Sequence, residues 1–451
     1  MDFLEKKSLL NQNQHGFRRG RGCLSQLLEH HDRILDALED SAGVDVIYLD
    51  LWKAFDQVDH GIVLHKARAL GLTGKVISWL QAFLSERTQT VVVEGCSSSE
   101  SEVPSGVPQG SVLGPVLFLL LLGDIDGTIT NSVASSFADD TKLIGSINGI
   151  SSVSKIQKDL ENLYGWADKN NMKFNSHKFQ SLRYRPQVED TRLPAYIAYD
   201  GTEIEECKTV KDLGVLMSND LSFSAQVNEV VTAARSQVAW ILRTFPSRNT
   251  ELMMTLFRAL VLPRLEYCSL LWSPRKIGEV EALEGVQRTF TSRIPALAHL
   301  DYWERLSALE LYSVERRRER FALLYIHKII RGVAPNVNNK IKTYQNARRG
   351  LLCNTTWISF RAPTTVVNAR MECFAYRGSL LFNCLPRELR ELESVTLFKS
   401  RLDRFLRSVP DQPHAHQYHR RASSNSIIDQ LATMRADGIF HLVPMVAGPL
   451  R

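Results

Sequence analysis

The chain lacks any apolar run long enough to cross a bilayer. Its longest, at 116–122, is seven residues, against about twenty for a membrane helix, so it reads as a buried helix. The opening Met1-Asp2-Phe3-Leu4-Glu5-Lys6-Lys7 has no apolar core, so neither a secretion signal nor a transit peptide is evident. Cysteine is scarce: there are seven, odd in number and scattered between 23 and 384, with no Cys-x-x-Cys pair. That speaks against a disulfide framework and points to a reducing intracellular setting, nucleus or cytoplasm. His414, His416 and His419 lie close together but without a Cys or carboxylate pattern beside them, and read as a solvated tail rather than a metal site.

What is present fits a globular protein of two or three domains: 451 residues, 44% hydrophobic and 23% charged. The net charge of +6 is unevenly spread. Residues 1–300 carry 31 Lys and Arg against 36 Asp and Glu, a net of −5, and residues 301–451 carry 24 against 13, a net of +11. An acidic half beside a basic half suits an enzyme that gathers cations in one place and touches phosphate in another. For Arg316, Arg317 and Arg318 the plainer expectation is a solvated helix face.

Apolar residues at helical spacing predict helices over 24–39, two over 60–86 parted near Gly71–Gly74, one after Gly114 and one over 150–171. Residues 46–49 and 88–93 read as strands, and two apolar runs flanking Asp139 and Asp140 read as a β-hairpin with acid at its tip. The pattern is α+β. Beyond 220 it turns helical: 227–242, 250–261 with a stop at Pro263, 279–291, 303–330, and a last helix near 398–406.

Asp50 ends the run Val46-Ile47-Tyr48-Leu49, and Phe137-Ala138 leads into Asp139-Asp140. Carboxylates at the ends of neighbouring strands repel unless cations bind. Oxygen ligands suit magnesium or manganese, and two such ions can serve an in-line phosphoryl transfer. The residues thus make a candidate nucleotidyl transferase.

Four motifs in order carry a more specific likeness: Asn13-Gln14-His15-Gly16-Phe17-Arg18, Tyr48-Leu49-Asp50-Leu51 with Phe55-Asp56, Gly106-Val107-Pro108-Gln109-Gly110-Ser111, and Phe137-Ala138-Asp139-Asp140. The chain resembles the reverse transcriptase of non-LTR (LINE) retrotransposons, in its jockey-like branch. The resemblance implies a right-hand polymerase palm with incomplete fingers over 1–220, a helical thumb over 221–300, a basic helical region over 301–410 and a poorly ordered tail over 411–451. It implies an RNA-directed DNA polymerase that uses two Mg2+ ions, with Mn2+ possible in their place, an RNA template, a DNA primer or target, and dNTPs. The alternative is a truncated element product without catalysis that at most binds nucleic acid.

By the same resemblance Asp50 and Asp139 are metal ligands, with Asp140 a weaker third, and the Leu51 carbonyl completes the site of the triphosphate-bound ion. Phe55 stands where a bulky ring excludes a 2′-hydroxyl. Gln109 and Gly110 lie beside the nascent base pair, Lys178 protonates pyrophosphate, and Leu213-Gly214-Val215 resembles the primer grip. Asp56 and Asp59 are expected to cap the helix that starts near His60. Gly123, Leu121 and Trp52 depart mildly from the family pattern. Set against the family pattern, only a short leader precedes residue 13, so the finger strands whose Lys/Arg pair clamps the triphosphate are expected to be missing.

Overall fold

Residues 46–49 are apolar on both sides because they lie in the middle strand of a sheet. In the computed structural model, which describes residues 1–41, 43–184, 193–336, 340–345, 354–358, 367–413 and 425–436, the main sheet has five strands. They are β1 (Gly43–Leu49), β2 (Val133–Phe137), β3 (Asp140–Ile147), β4 (Gln180–Tyr184) and β5 (Glu205–Cys207), in the order β2-β3-β1-β4-β5. β1 pairs antiparallel with β3 and β4, and β4 and β5 run parallel. Val44, Val46 and Ile47 are fully buried. Asp45 sits among them and is tolerated because it is paired: Arg183, opposite it on β4, reaches it at 3.2 Å, and the Tyr196 hydroxyl donates to it at 2.8 Å.

The chain divides into two compact units, Met1–Gln26 with Asp36–Val210, and Leu27–Leu35 with Lys211–Arg451. In the first, the apolar run at 116–122 lies in the buried helix Gly114–Leu121 and the turn after it. The expected strand over 88–93 is instead two short pairings, Thr88–Gln89 with Ser101–Glu102 and Val92–Val93 with Cys96–Ser97. All these residues are exposed, so no buried face extends the ladder.

The second unit is mostly helical. Ser224–Thr244 buries Val227, Val230, Val231, Ala234, Val238 and Ile241, the spacing its sequence shows. Pro263 does not stop the next helix: Thr250–Leu256 passes through a wide π turn, Phe257–Val261, into Leu262–Glu266, with Pro263 in the first turn of that last piece. Proline has no N–H and crowds the carbonyl four residues back, and the wider turn removes the conflict. The helix expected over 303–330 is two, Tyr302–Ala308 and Val314–Ile330, because each start carries its own cap. Asp301 and Glu304 form a reciprocal capping box, and the Ser313 hydroxyl accepts from the Arg316 N–H.

The arginine run is not a solvated face. Arg316 is fully buried and donates to the carbonyls of Val409 and Pro410, Arg317 pairs with Glu266, and Arg318 lies 4.4 Å over the Trp272 ring. Within the stretch expected as a poorly ordered tail, Ile427–Ala436 is a helix with Ile427, Leu431 and Met434 buried; the Ile427 N–H donates to Glu319 at 2.7 Å. His414, His416 and His419 lie outside the described residues. No helix among the described residues is long and apolar enough to cross a membrane.

Glu284, also in this unit, is fully buried, and burial pushes its carboxyl up to about 7, although the Tyr302 hydroxyl and the Val314 N–H favour its charged form. A raised folded-state pKa means stability that is complete below the ordinary carboxylate range and is lost as pH rises through about 7. Urea midpoints measured from pH 5 to pH 8 should therefore fall, and in Glu284→Gln the fall should be smaller. Parallel profiles would show that Glu284 does not titrate there.

Candidate active site

The antiparallel register of β1 and β3 pairs Leu49 with Thr141. Asp50, one residue beyond Leu49, and Asp139, two before Thr141, therefore emerge at the same end of neighbouring strands. β2 and β3 are joined by the two-residue turn Ala138-Asp139, closed by the pair Phe137 and Asp140. Such a tight turn demands positive φ, and Ala138 adopts +56°. Asp50 is fixed on its other side: its carbonyl accepts from the Asn175 N–H at 2.8 Å, and Leu51 bridges to Phe174.

Asp139 senses the charge of Asp50. Burial raises the Asp139 pKa, and the charge of Asp50 raises it further, against a lowering by Lys178. The Lys178 ammonium lies 3.1 Å from Asp50 Oδ2, so this carboxylate already has a cation beside it. The donor set, hard oxygens with an ammonium standing in, fits a divalent ion. Among the described residues no three His, Cys, Asp or Glu side chains converge into a metal group. Magnesium needs only one or two carboxylates when substrate phosphates supply the rest. Asp140 opens β3 with its side chain exposed, and the Leu51 side chain is buried in the core.

Phe55 lies between two rings, stacked on Phe118 with centroids 4.4 Å apart and met edge-on by Phe17 at 5.9 Å. Its loop is zipped to the 105–109 loop: Val107 N–H donates to the Phe55 carbonyl at 2.9 Å, and Gly106 N–H to the Val58 carbonyl at 2.8 Å. Gly106 must be glycine, since at φ +89° a Cβ would come within 2.8 Å of the Asp56 carbonyl oxygen. Gln109 is exposed, and its Nε2 donates to Asp56 Oδ1 at 2.9 Å. Asp56 thus orients Gln109 instead of capping a helix; the cap is Asp59, which accepts from the Ile62 N–H at 2.9 Å. Gly110 is exposed at φ +78°, and a Cβ on it would meet nothing within 4 Å.

Two residues of this region escaped the sequence, Phe17 and Gln14, whose side chain bonds the backbone of Ala138, and Asp56 was read there as a cap and not as the partner of Gln109. Phe17 and Gln14 fall inside a recognised motif, and that was their only signal.

Residues 2–217 match the family described as reverse transcriptase (RNA-dependent DNA polymerase). The RNA-directed DNA polymerase from mobile element jockey of Drosophila melanogaster is 28% identical over 265 residues, 56% of this chain and 28% of that protein. The probable RNA-directed DNA polymerase from transposon X-element of the same species is 26% identical over 295 residues, 64% of this chain and 32% of that protein. The chain thus spans about a third or less of the length of these relatives. Apo telomerase from Candida tropicalis superposes on 68% of this chain and 52% of its own, at 10% identity and a TM-score of 0.38.

Proposed function

We propose, for a chain whose residues 2–217 are a reverse transcriptase domain related to those of the jockey and X-element retrotransposons, that it is an RNA-directed DNA polymerase extending a DNA primer on an RNA template. The observation that carries this is the pairing of Asp50 with Asp139 at one end of β1 and the β2–β3 turn, with a cation, Lys178, already on Asp50.

In this reading Asp50 and Asp139 would hold two Mg2+ ions, with Asp140 accessory to them and the Leu51 carbonyl adding an oxygen. When bound, those ions stabilise the attacking and leaving oxygens of the in-line displacement. The primer 3′-hydroxyl gives up its proton to solvent as its oxygen forms the new bond to the α-phosphorus and the bond to the bridging oxygen breaks, and that electron pair leaves with pyrophosphate. Lys178 moves off Asp50 and gives its proton to that leaving group. Gln109, steadied by Asp56, and Gly110 lie against the nascent base pair, where a glycine leaves room for close approach.

In this reading Phe55, which lies between Phe17 and Phe118, is the ring that excludes a ribose 2′-hydroxyl. Phe55→Val should raise ribonucleotide use relative to deoxynucleotide use by roughly tenfold, about 1.4 kcal/mol in relative barrier. Single-nucleotide addition with dTTP and with the matching ribonucleotide on an RNA template reads both the activity and the discrimination. No template-dependent addition would remove the function, whereas addition with an unchanged ratio would return Phe55 to the core.

A further inference from the structure

We propose that Gln14 is a positioning residue for Asp139: its carboxamide holds the backbone of Ala138 in the left-handed turn that aims the Asp139 carboxylate. The inference rests on Asp139 being a metal ligand and goes beyond it, because Gln14 itself touches neither metal nor substrate.

Gln14 is 3% exposed, and its side chain engages both backbone polar groups of Ala138: Oε1 accepts from the Ala138 N–H at 2.8 Å, and Nε2 donates to the Ala138 carbonyl at 3.0 Å. Oε1 also accepts from the Gly16 N–H at 2.8 Å, which fixes which end of the amide faces which group. The segment that carries Gln14 is held against β2. The Ser136 N–H donates to the Asn13 carbonyl at 3.0 Å, and the His15 N–H to the Ser136 carbonyl at 2.9 Å. Gly16, two residues on, passes so close to the turn that a Cβ there would lie 2.4 Å from the Ala138 nitrogen. Ala138 has no side-chain means of holding φ at +56°, a conformation that L residues avoid. Its N–H and carbonyl are therefore pinned from outside, one residue before Asp139. Without the pin, the strained turn is held only by the Phe137–Asp140 pair that closes it, and Asp139 is less firmly positioned.

A loop staple would do no more than stabilise the fold, so the test reads metal affinity of the folded chain. Mn2+ binding to the full-length chain is titrated by electron paramagnetic resonance, free of nucleic acid, for the wild type, Gln14→Met, Asp139→Asn and the double variant Gln14→Met/Ala138→Gly. Gln14→Met keeps length but neither hydrogen bond, and its Mn2+ affinity should fall by about tenfold, the scale for losing a group that orients a metal ligand. Glycine takes positive φ freely, so the double variant should recover at least about a third of the lost affinity on that scale. Should Gln14→Met fail to fold, Gln14→Glu, which keeps the acceptor and loses the donor to the Ala138 carbonyl, is read in the same titration with a smaller loss expected. Wild-type affinity in the folded Gln14 variant, with Asp139→Asn impaired, would overturn the positioning role and leave the polymerase reading intact. Equal binding by wild type and Asp139→Asn would instead overturn the metal-ligand assignment on which both depend.

Discussion

Asp139→Asn should cut RNA-templated primer extension by about a thousandfold or more, on the order of 4 kcal/mol of lost transition-state stabilisation, because in the proposed site one of the two main carboxylates for the metal pair is gone. Its thermal midpoint should stay the same or rise slightly. Burial and the Asp50 charge both raise the Asp139 pKa. A raised folded-state pKa means stability present below the ordinary carboxylate range and lost as pH rises through the folded value. At neutral pH and without metal the charged form is therefore a burden on the fold, and the neutral amide removes it. A variant that extends primers at the wild-type rate would sink the assignment of Asp139. One that is inactive and also melts far below wild type would mean that the carboxylate is structural.

The largest expected loss of stability is in the second unit. Arg370 Nη1 lies 2.5 Å from Asp32 Oδ1, with side-chain exposures of 1% and 4%. Removing one member of a buried ion pair leaves the other's charge short of its main counter-charge, which costs about 3–5 kcal/mol. Asp32→Ala should show that loss in urea denaturation followed by hydrogen exchange of amides in the 211–330 helices. Lys211→Ala is the comparison. Its pair with Glu229 is made at 2.6 Å, but both side chains are about half exposed, so the loss should stay within about 1 kcal/mol. Equal small losses in the two variants would show that the buried pair is dispensable, as well-packed replacements of such pairs can be.

Much of the first unit could be read from local pattern. The strand ending in Asp50 announced itself because a middle strand is apolar on both faces, and the Asp139 hairpin because two apolar runs flank two acids. The helices Cys23–Asp40, His60–Ala69 and Lys75–Leu84 followed from spacing and the glycines between the last two. What stayed hidden depends on partners far along the chain. Arg316 and Arg318 looked like a solvated charge run because nothing local says that Val409, Pro410 and Trp272 will cover them. Pro263 looked like a stop because a π turn leaves no mark in apolar periodicity. Gln14 sat inside a recognised motif, yet its partner is the backbone of Ala138, 124 residues away, and backbone partners have no side-chain signature. Asp56 and Asp59 looked equivalent as caps, and only the zipped loops at 55–60 and 105–109 send Asp56 to Gln109.

The central claim is that this chain joins deoxynucleotides on an RNA template through the acids at Asp50 and Asp139. Incubating the wild-type chain with poly(rA)/oligo(dT), dTTP and Mg2+ should give template-dependent addition of dTMP that chelation by EDTA stops and that fresh Mg2+ restores. A folded chain that binds both the hybrid and Mn2+ yet adds no nucleotide would contradict it.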